Sequence, residues 1–414
     1  MDEREMAEFG AQPKRRKVER KEMDGSYLCF MTTEDMFVIK LSNLEKQEEV
    51  KDWTCLSPLK FYFNLKLPVE YLCPFEFDSK IYMAPGELRS WARGSWHSFP
   101  IYEFNFEEKE IKPTESLNQP SVPFKSSFVT NISGCGDVYF YVDSRFEGHQ
   151  PTLMVLSAAT KDWEMFHPDL PFPPSESRYP IYCDMIALHD KIMLTSSLFT
   201  PQSYWTLFNP VTKSWTDKPD GDYNIFSLIR AKWGDVYRTL LPQFAVSVPG
   251  LNNDYSVALS HTYAEPPEFP KGFKNGDLVC VRVTAFMVNQ NGRVALFQYL
   301  DKCFEGIRPT LNAWDTIKLR ILDLGHGKLC ALLFGYTMEQ HIPVLCISIF
   351  TLSVLSDALQ LPASPMQRDF LQVTVHSKSA YSSEEVVESL MRHAFVWPPI
   401  QGARFHRYEP EFSP

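Results

Sequence analysis

The stretch Tyr204-Trp205-Thr206-Leu207-Phe208-Asn209-Pro210-Val211-Thr212-Lys213-Ser214-Trp215 decides how this chain is read. An aromatic, apolar run suited to a strand enters a polar turn, and a large apolar residue then returns the chain to a core. Two upstream segments share the plan: Leu153-Met154-Val155-Leu156-Ser157-Ala158-Ala159-Thr160-Lys161-Asp162-Trp163, and Ile101-Tyr102-Glu103-Phe104-Asn105-Phe106-Glu107-Glu108-Lys109-Glu110-Ile111. From Ile111 to Trp163 is 52 positions, and from Trp163 to Trp215 is 52 again. Another strand that follows a turn precedes each segment, as in Phe77-Asp78-Ser79-Lys80-Ile81-Tyr82 and Leu188-His189-Asp190-Lys191-Ile192-Met193. Prolines follow each: Pro113, then Pro168 and Pro171, then Pro219. A unit of about 50 residues with several short strands has the size of one propeller blade. As repeat positions, Ile111, Trp163 and Trp215 are expected to pack between neighbouring blades.

The pattern resembles the kelch repeat. Asn209-Pro210-Val211-Thr212-Lys213-Ser214-Trp215 is similar to its centre, Ser157-Ala158-Ala159-Thr160-Lys161-Asp162-Trp163 less so, and the first segment carries Ile111 where the family has tryptophan. The family's glycine doublet is missing; Met83-Ala84-Pro85-Gly86 keeps one glycine and Thr195-Ser196-Ser197 none. The clear resemblance covers residues 75 to 220. Weaker units continue it. Lys232-Trp233-Gly234-Asp235-Val236-Tyr237 with Tyr255-Ser256-Val257-Ala258-Leu259 reads as one blade. Gly276-Asp277-Leu278-Val279-Cys280-Val281 with Val294-Ala295-Leu296-Phe297-Gln298-Tyr299 reads as the next, and Gly327 to Phe334 with Val344 to Ile349 as another. The hairpin at 27–41 supplies the remaining strands. The resemblance implies an all-β, kelch-like β-propeller of six to seven four-stranded blades over 25–380. It also implies a module that binds a protein partner through its loops. The nearest style is that of diverged plant F-box/kelch-like proteins, which implies substrate recognition for a ubiquitin ligase and contact with ubiquitin-ligase components. No F-box is visible, because Leu67-Pro68 leads into strand-like aromatic text rather than a helix.

Composition agrees with many short strands and stiff loops. Of 414 residues, 44% are hydrophobic and 14% aromatic, and 31 prolines outnumber 18 glycines. A net charge of -10 argues against a nucleic-acid coat, which must neutralise phosphates, and against an anionic membrane surface. Nine cysteines with no Cys-x-x-Cys pair suit free thiols in a reducing compartment, nucleus or cytoplasm. The longest apolar run, Val344 to Leu355, is too short for a membrane helix and rich in β-branched residues, so it reads as a buried strand.

Residues 1–24 lack hydrophobic periodicity and read as a disordered basic tail. Within it, Lys14, Arg15, Arg16 and Lys17 resemble a nuclear import signal, which implies an import receptor as a partner. Residues 381–414 read as a short helix and an extended tail. Ser382 and Ser383 with Glu384 and Glu385 suit a cap, and Val387, Leu390, Met391 and Ala394 share a face. Ten histidines include no pair within four positions, and no nucleophile or zinc motif occurs. Neighbouring acids such as Glu107 and Glu108 read as solvent-facing. The expectation is therefore a non-catalytic module with no catalytic residue, no cofactor and no metal. An enzyme with its site at the channel mouth is the further alternative, to be distinguished by ionisable groups with perturbed pKa.

Overall fold

A computed structural model of the chain describes residues 25–32, 34–45, 57–58, 60–68, 72–85, 100–118, 126–131, 136–142, 152–167, 182–188, 191–197, 203–216, 244–246, 248, 250–251, 254–264, 280–289, 294–304, 318–325, 327–336, 343–355, 366–382 and 393–398. Their strands form six small antiparallel sheets, the six blades of a β-propeller. Blade 2 runs outward from Leu72–Phe77 through Lys80–Pro85 and Tyr102–Asn105 to Glu110–Pro113. Blade 3 comprises Ser126–Asn131, Val138–Val142, Thr152–Leu156 and Trp163–Phe166. Blade 4 comprises Tyr182–Leu188, Lys191–Ser197, Ser203–Asn209 and Ser214–Thr216.

Blade 5 is built from Phe244–Val246, Tyr255–Ala264, Cys280–Asn289 and Val294–Tyr299. This corrects the sequence division, which placed Tyr255 to Leu259 and Val294 to Tyr299 in separate blades. Tyr255–Ala264 pairs along its whole length with Cys280–Asn289, so the two units are one long hairpin and the count is six. Residues 232–237 lie outside the described residues. Blade 6 comprises Lys318–Gly325, Lys328–Tyr336, Pro343–Val354 and Leu371–Ser382. The run read as a buried strand is the twelve-residue Pro343–Val354.

Blade 1 joins the two ends of the chain. Its inner strand is His393–Trp397, which pairs antiparallel with Tyr27–Met31, followed by Asp35–Lys40 and Phe63–Lys66. Ala394, read as part of a helix face, is therefore in the strand that closes the ring, and the propeller extends past residue 380. The rest of that helix, 383–392, lies outside the described residues. Its apolar spacing misleads at Ala394 because the closing strand is buried on both sides. No described helix is long and apolar enough to cross a membrane.

Six hydrophobic clusters fill the six seams between blades. The seam between blades 1 and 2 joins Cys29, Val38 and Phe395 to Leu72, Ile81 and Phe104. The seam between blades 6 and 1 joins Leu322, Leu332 and Ile347 to Phe30, Ala394 and Val396. Alternate residues of one strand thus serve two seams, the period-two rule applied to a sheet buried on both faces. Two short strands tie the rim. Met366–Gln367 adds in parallel to the outer edge of blade 5, and Ser57–Pro58 to that of blade 6. The buried amide of Gln298 accepts from the backbone N–H groups of Phe370 and Leu371 at 2.9 and 2.8 Å, and donates to the Leu371 carbonyl at 2.9 Å.

Phe395 fills the seam between blades 1 and 2 from the closing strand. Its replacement by alanine should cost about 3–5 kcal/mol, the usual loss for a buried phenylalanine. Urea unfolding of the purified variant checks this, and a loss below about 1 kcal/mol would mean that ring closure does not depend on this seam.

Candidate functional site

The innermost strands of the six blades converge around the ring axis, where a propeller places its channel. Most of their described positions are apolar. Leu72–Phe77 on blade 2 is buried at every residue, yet it contains Glu76. The strand register puts Glu76 directly across from Ile81, and Ile81 across from Phe104, so it shares the face turned towards blade 1. Only 8% of the residue is exposed. This desolvation raises its carboxyl from the usual 4.5 to about 7.

A second inner-strand charge lies on the other side of the closing strand. Arg320 of Lys318–Gly325 is 1% exposed and pairs in register with Leu332, which faces the seam between blades 6 and 1. The strand His393–Trp397 is therefore flanked by one seam bearing a buried carboxyl and another bearing a guanidinium, which stays charged at any working pH. Nothing in the sequence reading singled out either residue. The available signal was a lone charge inside an otherwise apolar strand, Leu72-Cys73-Pro74-Phe75-Glu76-Phe77.

The repeat positions fall at seams. Ile111 packs against the cluster between blades 1 and 2, Trp163 against that between 2 and 3, and Trp215 against that between 3 and 4. The Trp163 indole N–H also donates to the Asn118 carbonyl at 2.7 Å. Two positions before each lies a lysine in the left-handed region: Lys109 at φ 53°, Lys161 at φ 59° and Lys213 at φ 51°. Each closes the turn at the end of its blade's third strand. Asn209 shapes one such turn by accepting from the N–H groups of Val211 and Thr212. The lysines then reach back to the preceding blade. Lys161 meets Asp78 at 3.1 Å, Lys213 pairs with Glu164, and Lys109 stands over the rings of Tyr62 and Phe63.

Gly136, read as a turn residue, has φ 76°, and a Cβ there would meet the Ala158 Cβ at 3.1 Å. Gly325 and Gly327 likewise lie in a turn with positive φ, not in a phosphate-binding loop. Glu107 and Glu108 are exposed. Burial pushes the thiols of Cys29, Cys73 and Cys346 up, Cys73 to about 12, so none is a nucleophile near neutral pH. Among the described residues no group of three His, Cys, Asp or Glu side chains could hold a metal ion. Lys14, Arg15, Arg16 and Lys17 lie outside the described residues.

No family model and no curated protein matches the chain. Solved structures do. The chain is similar to YjhT, with 12% identity, 84% of this chain and 96% of that one covered, and a TM-score of 0.36. It is also similar to a member of the GH130 family of mannoside phosphorylases, described as containing glycoside hydrolases that target β-1,2 mannosidic linkages. There the identity is 12%, the coverage 68% of this chain and 83% of that one, and the TM-score 0.34. A protein of unknown function from Dyadobacter fermentans matches at 7% identity, with 88% and 96% covered and a TM-score of 0.32. These likenesses concern the fold and name no substrate for this chain. They nonetheless correct one expectation. The non-catalytic reading rested on the fold alone, and a propeller fold does not fix function, so that reading is not retained.

The buried carboxyl has a measurable consequence for stability. Below pH 4.5 Glu76 is protonated in both the folded and the unfolded chain. Between pH 4.5 and about 7 the unfolded chain releases its proton while the folded one keeps it, so stability falls as pH rises. Above that window the cost is complete, on the order of 3 kcal/mol. Glu76→Gln cannot titrate. Its stability relative to the native chain should therefore rise by that amount between pH 4.5 and pH 8. Urea unfolding at the two pH values reads the difference, and parallel curves would show that Glu76 titrates normally.

Proposed function

We propose that this protein is an enzyme whose reaction centre lies at the inner wall of the ring, with Glu76 as the proton-transferring group and Arg320 as the candidate stabiliser of developing negative charge. The observation that carries the reading is the position of Glu76. It is a carboxyl on an innermost strand, 8% exposed, in a seam whose other described residues are mostly apolar. A carboxyl shifted to about 7 is present in both protonation states at neutral pH and can serve as general acid or general base. Burial costs the fold stability, and such a cost is characteristic of groups retained for chemistry.

The reaction class is acid-assisted bond cleavage or proton transfer on a polar substrate. A panel of chromogenic glycosides and esters, assayed with and without inorganic phosphate, tests it. The native chain should turn over at least one substrate, with a rate that changes slope near pH 7. Glu76→Gln should lower kcat by about 10²- to 10⁴-fold while staying folded, with a melting temperature at pH 7 no lower than that of the native chain. A native chain inactive across the panel, or a variant as active as the native chain, would remove the proposal.

The location is a separate part of the reading. We infer that Lys14, Arg15, Arg16 and Lys17 direct nuclear import, because they form a compact basic run outside the blade repeat. Replacing all four by alanine in a fluorescent fusion should move the protein from nucleus to cytoplasm. An unchanged nuclear signal would show that this run does not direct it.

A further inference from the structure

At the turn end of the seam between blades 1 and 2, aromatic rings from three separate parts of the chain gather. Trp397 ends the closing strand, Phe106 sits in the third-strand turn of blade 2, and Tyr62 enters the outer strand of blade 1. Trp397 and Phe106 stack with centroids 3.8 Å apart and planes 6° apart. Phe106 and Tyr62 are 6.2 Å apart with planes 7° apart, so the three rings share one orientation. Tyr27 packs against two of them at a tilt, 4.5 Å from Phe106 and 5.0 Å from Tyr62. The ledge is held in place, because the Tyr62 N–H donates to the Val38 carbonyl at 2.6 Å. Tyr62 is nevertheless 51% exposed, far more than a ring needed only for packing.

The charge beside it is unusual for its repeat. Lys161 and Lys213 occupy the equivalent turn position, and each has a carboxylate on the preceding blade. Lys109 has none among the described residues. Its ammonium stands 5.2 Å from the Phe63 centroid and 5.4 Å from that of Tyr62. A cation–π contact leaves an exposed ammonium free to take an anion as well. An exposed aromatic ring suits contact with the apolar C–H surface of a sugar, and the ammonium held over Tyr62 and Phe63 suits a carboxylate on that sugar.

We propose that this ledge is a binding subsite for an acidic saccharide, a uronate-type ring laid on Tyr62 with its carboxylate on Lys109. The subsite is independent of any chemistry at Glu76. Binding of trigalacturonate and of its fully methyl-esterified form, which keeps the rings but removes the charge, is measured by titration calorimetry on the full chain. The acid should bind about tenfold more tightly than the ester. Tyr62→Ala should weaken both ligands. Lys109→Gln should lower the affinity for the acid to that for the ester. Glu76→Gln should bind as the native chain does, which separates this subsite from the proposed reaction centre. Tyr62 and Lys109 are exposed, and unchanged melting temperatures confirm that the variants fold. Equal binding of acid and ester, native affinity in either ledge variant, or no binding of the acid at millimolar concentration would each overturn the assignment.

Discussion

Every blade in this ring is apolar on both faces, and that constraint governs the rest of the structure. Leu345, Ile347 and Ile349 of one strand turn into the seam between blades 6 and 1, while Val344, Cys346 and Phe350 of the same strand turn into the seam between blades 5 and 6. No blade can bury both faces alone, so the sheets must form a closed circle. Closure falls to five residues. His393–Trp397 leaves the far end of the chain and pairs with Tyr27–Met31 near its start. Phe395 then completes one seam, and Ala394 and Val396 the other. Such pairing across nearly the whole sequence carries a loop-closure entropy that hairpins within a blade avoid.

The repeat follows from the same constraint. A seam needs a large side chain at its outer edge, which Ile111, Trp163 and Trp215 supply. The turn before that side chain needs a left-handed residue, and the chain places a lysine there three times at a cost of about 1–2 kcal/mol each relative to a relaxed backbone. Glycine would avoid the strain but would leave nothing to reach the neighbouring blade. Lysine spans the seam outside the buried residue, to Asp78, Glu164 or the Tyr62 ring. Exposed ion pairs of this kind add little energy singly. Their main effect is positional, fixing the angle at which one blade's outer hairpin meets the blade before it.

This logic explains what could be read in the sequence. Thr-Lys-x-Trp was legible because turn and seam impose their residue types at a fixed spacing, and that spacing points to the propeller. The blade count was less legible. Tyr255–Ala264 and Cys280–Asn289 are each ten residues long and lie well apart in sequence, so the two strands of one hairpin read as members of separate units. The closing strand was hidden by its burial on both sides, since a strand without polar alternation does not reveal its period. Glu76 was missed for the opposite reason. In an alternating strand a charge normally marks the solvent side, and only the ring shows that this strand has none.

Two glutamates of blade 2 sit in contrasting environments. Glu103, on the third strand, meets Lys80 at 2.7 Å and accepts from the Thr114 hydroxyl at 3.3 Å. Thr114 and Tyr82 both meet Ser116, so polar groups continue along that face. These contacts tie Glu103 into its sheet. Glu76, two strands inward on the opposite face, lies across from Ile81 in an apolar seam and is held near neutral pH. The strand bearing Glu76 is gripped by its own blade and by the blades on either side. The proton-transfer role proposed for Glu76 needs such held geometry, and in a propeller the inner strands combine it with proximity to the axis.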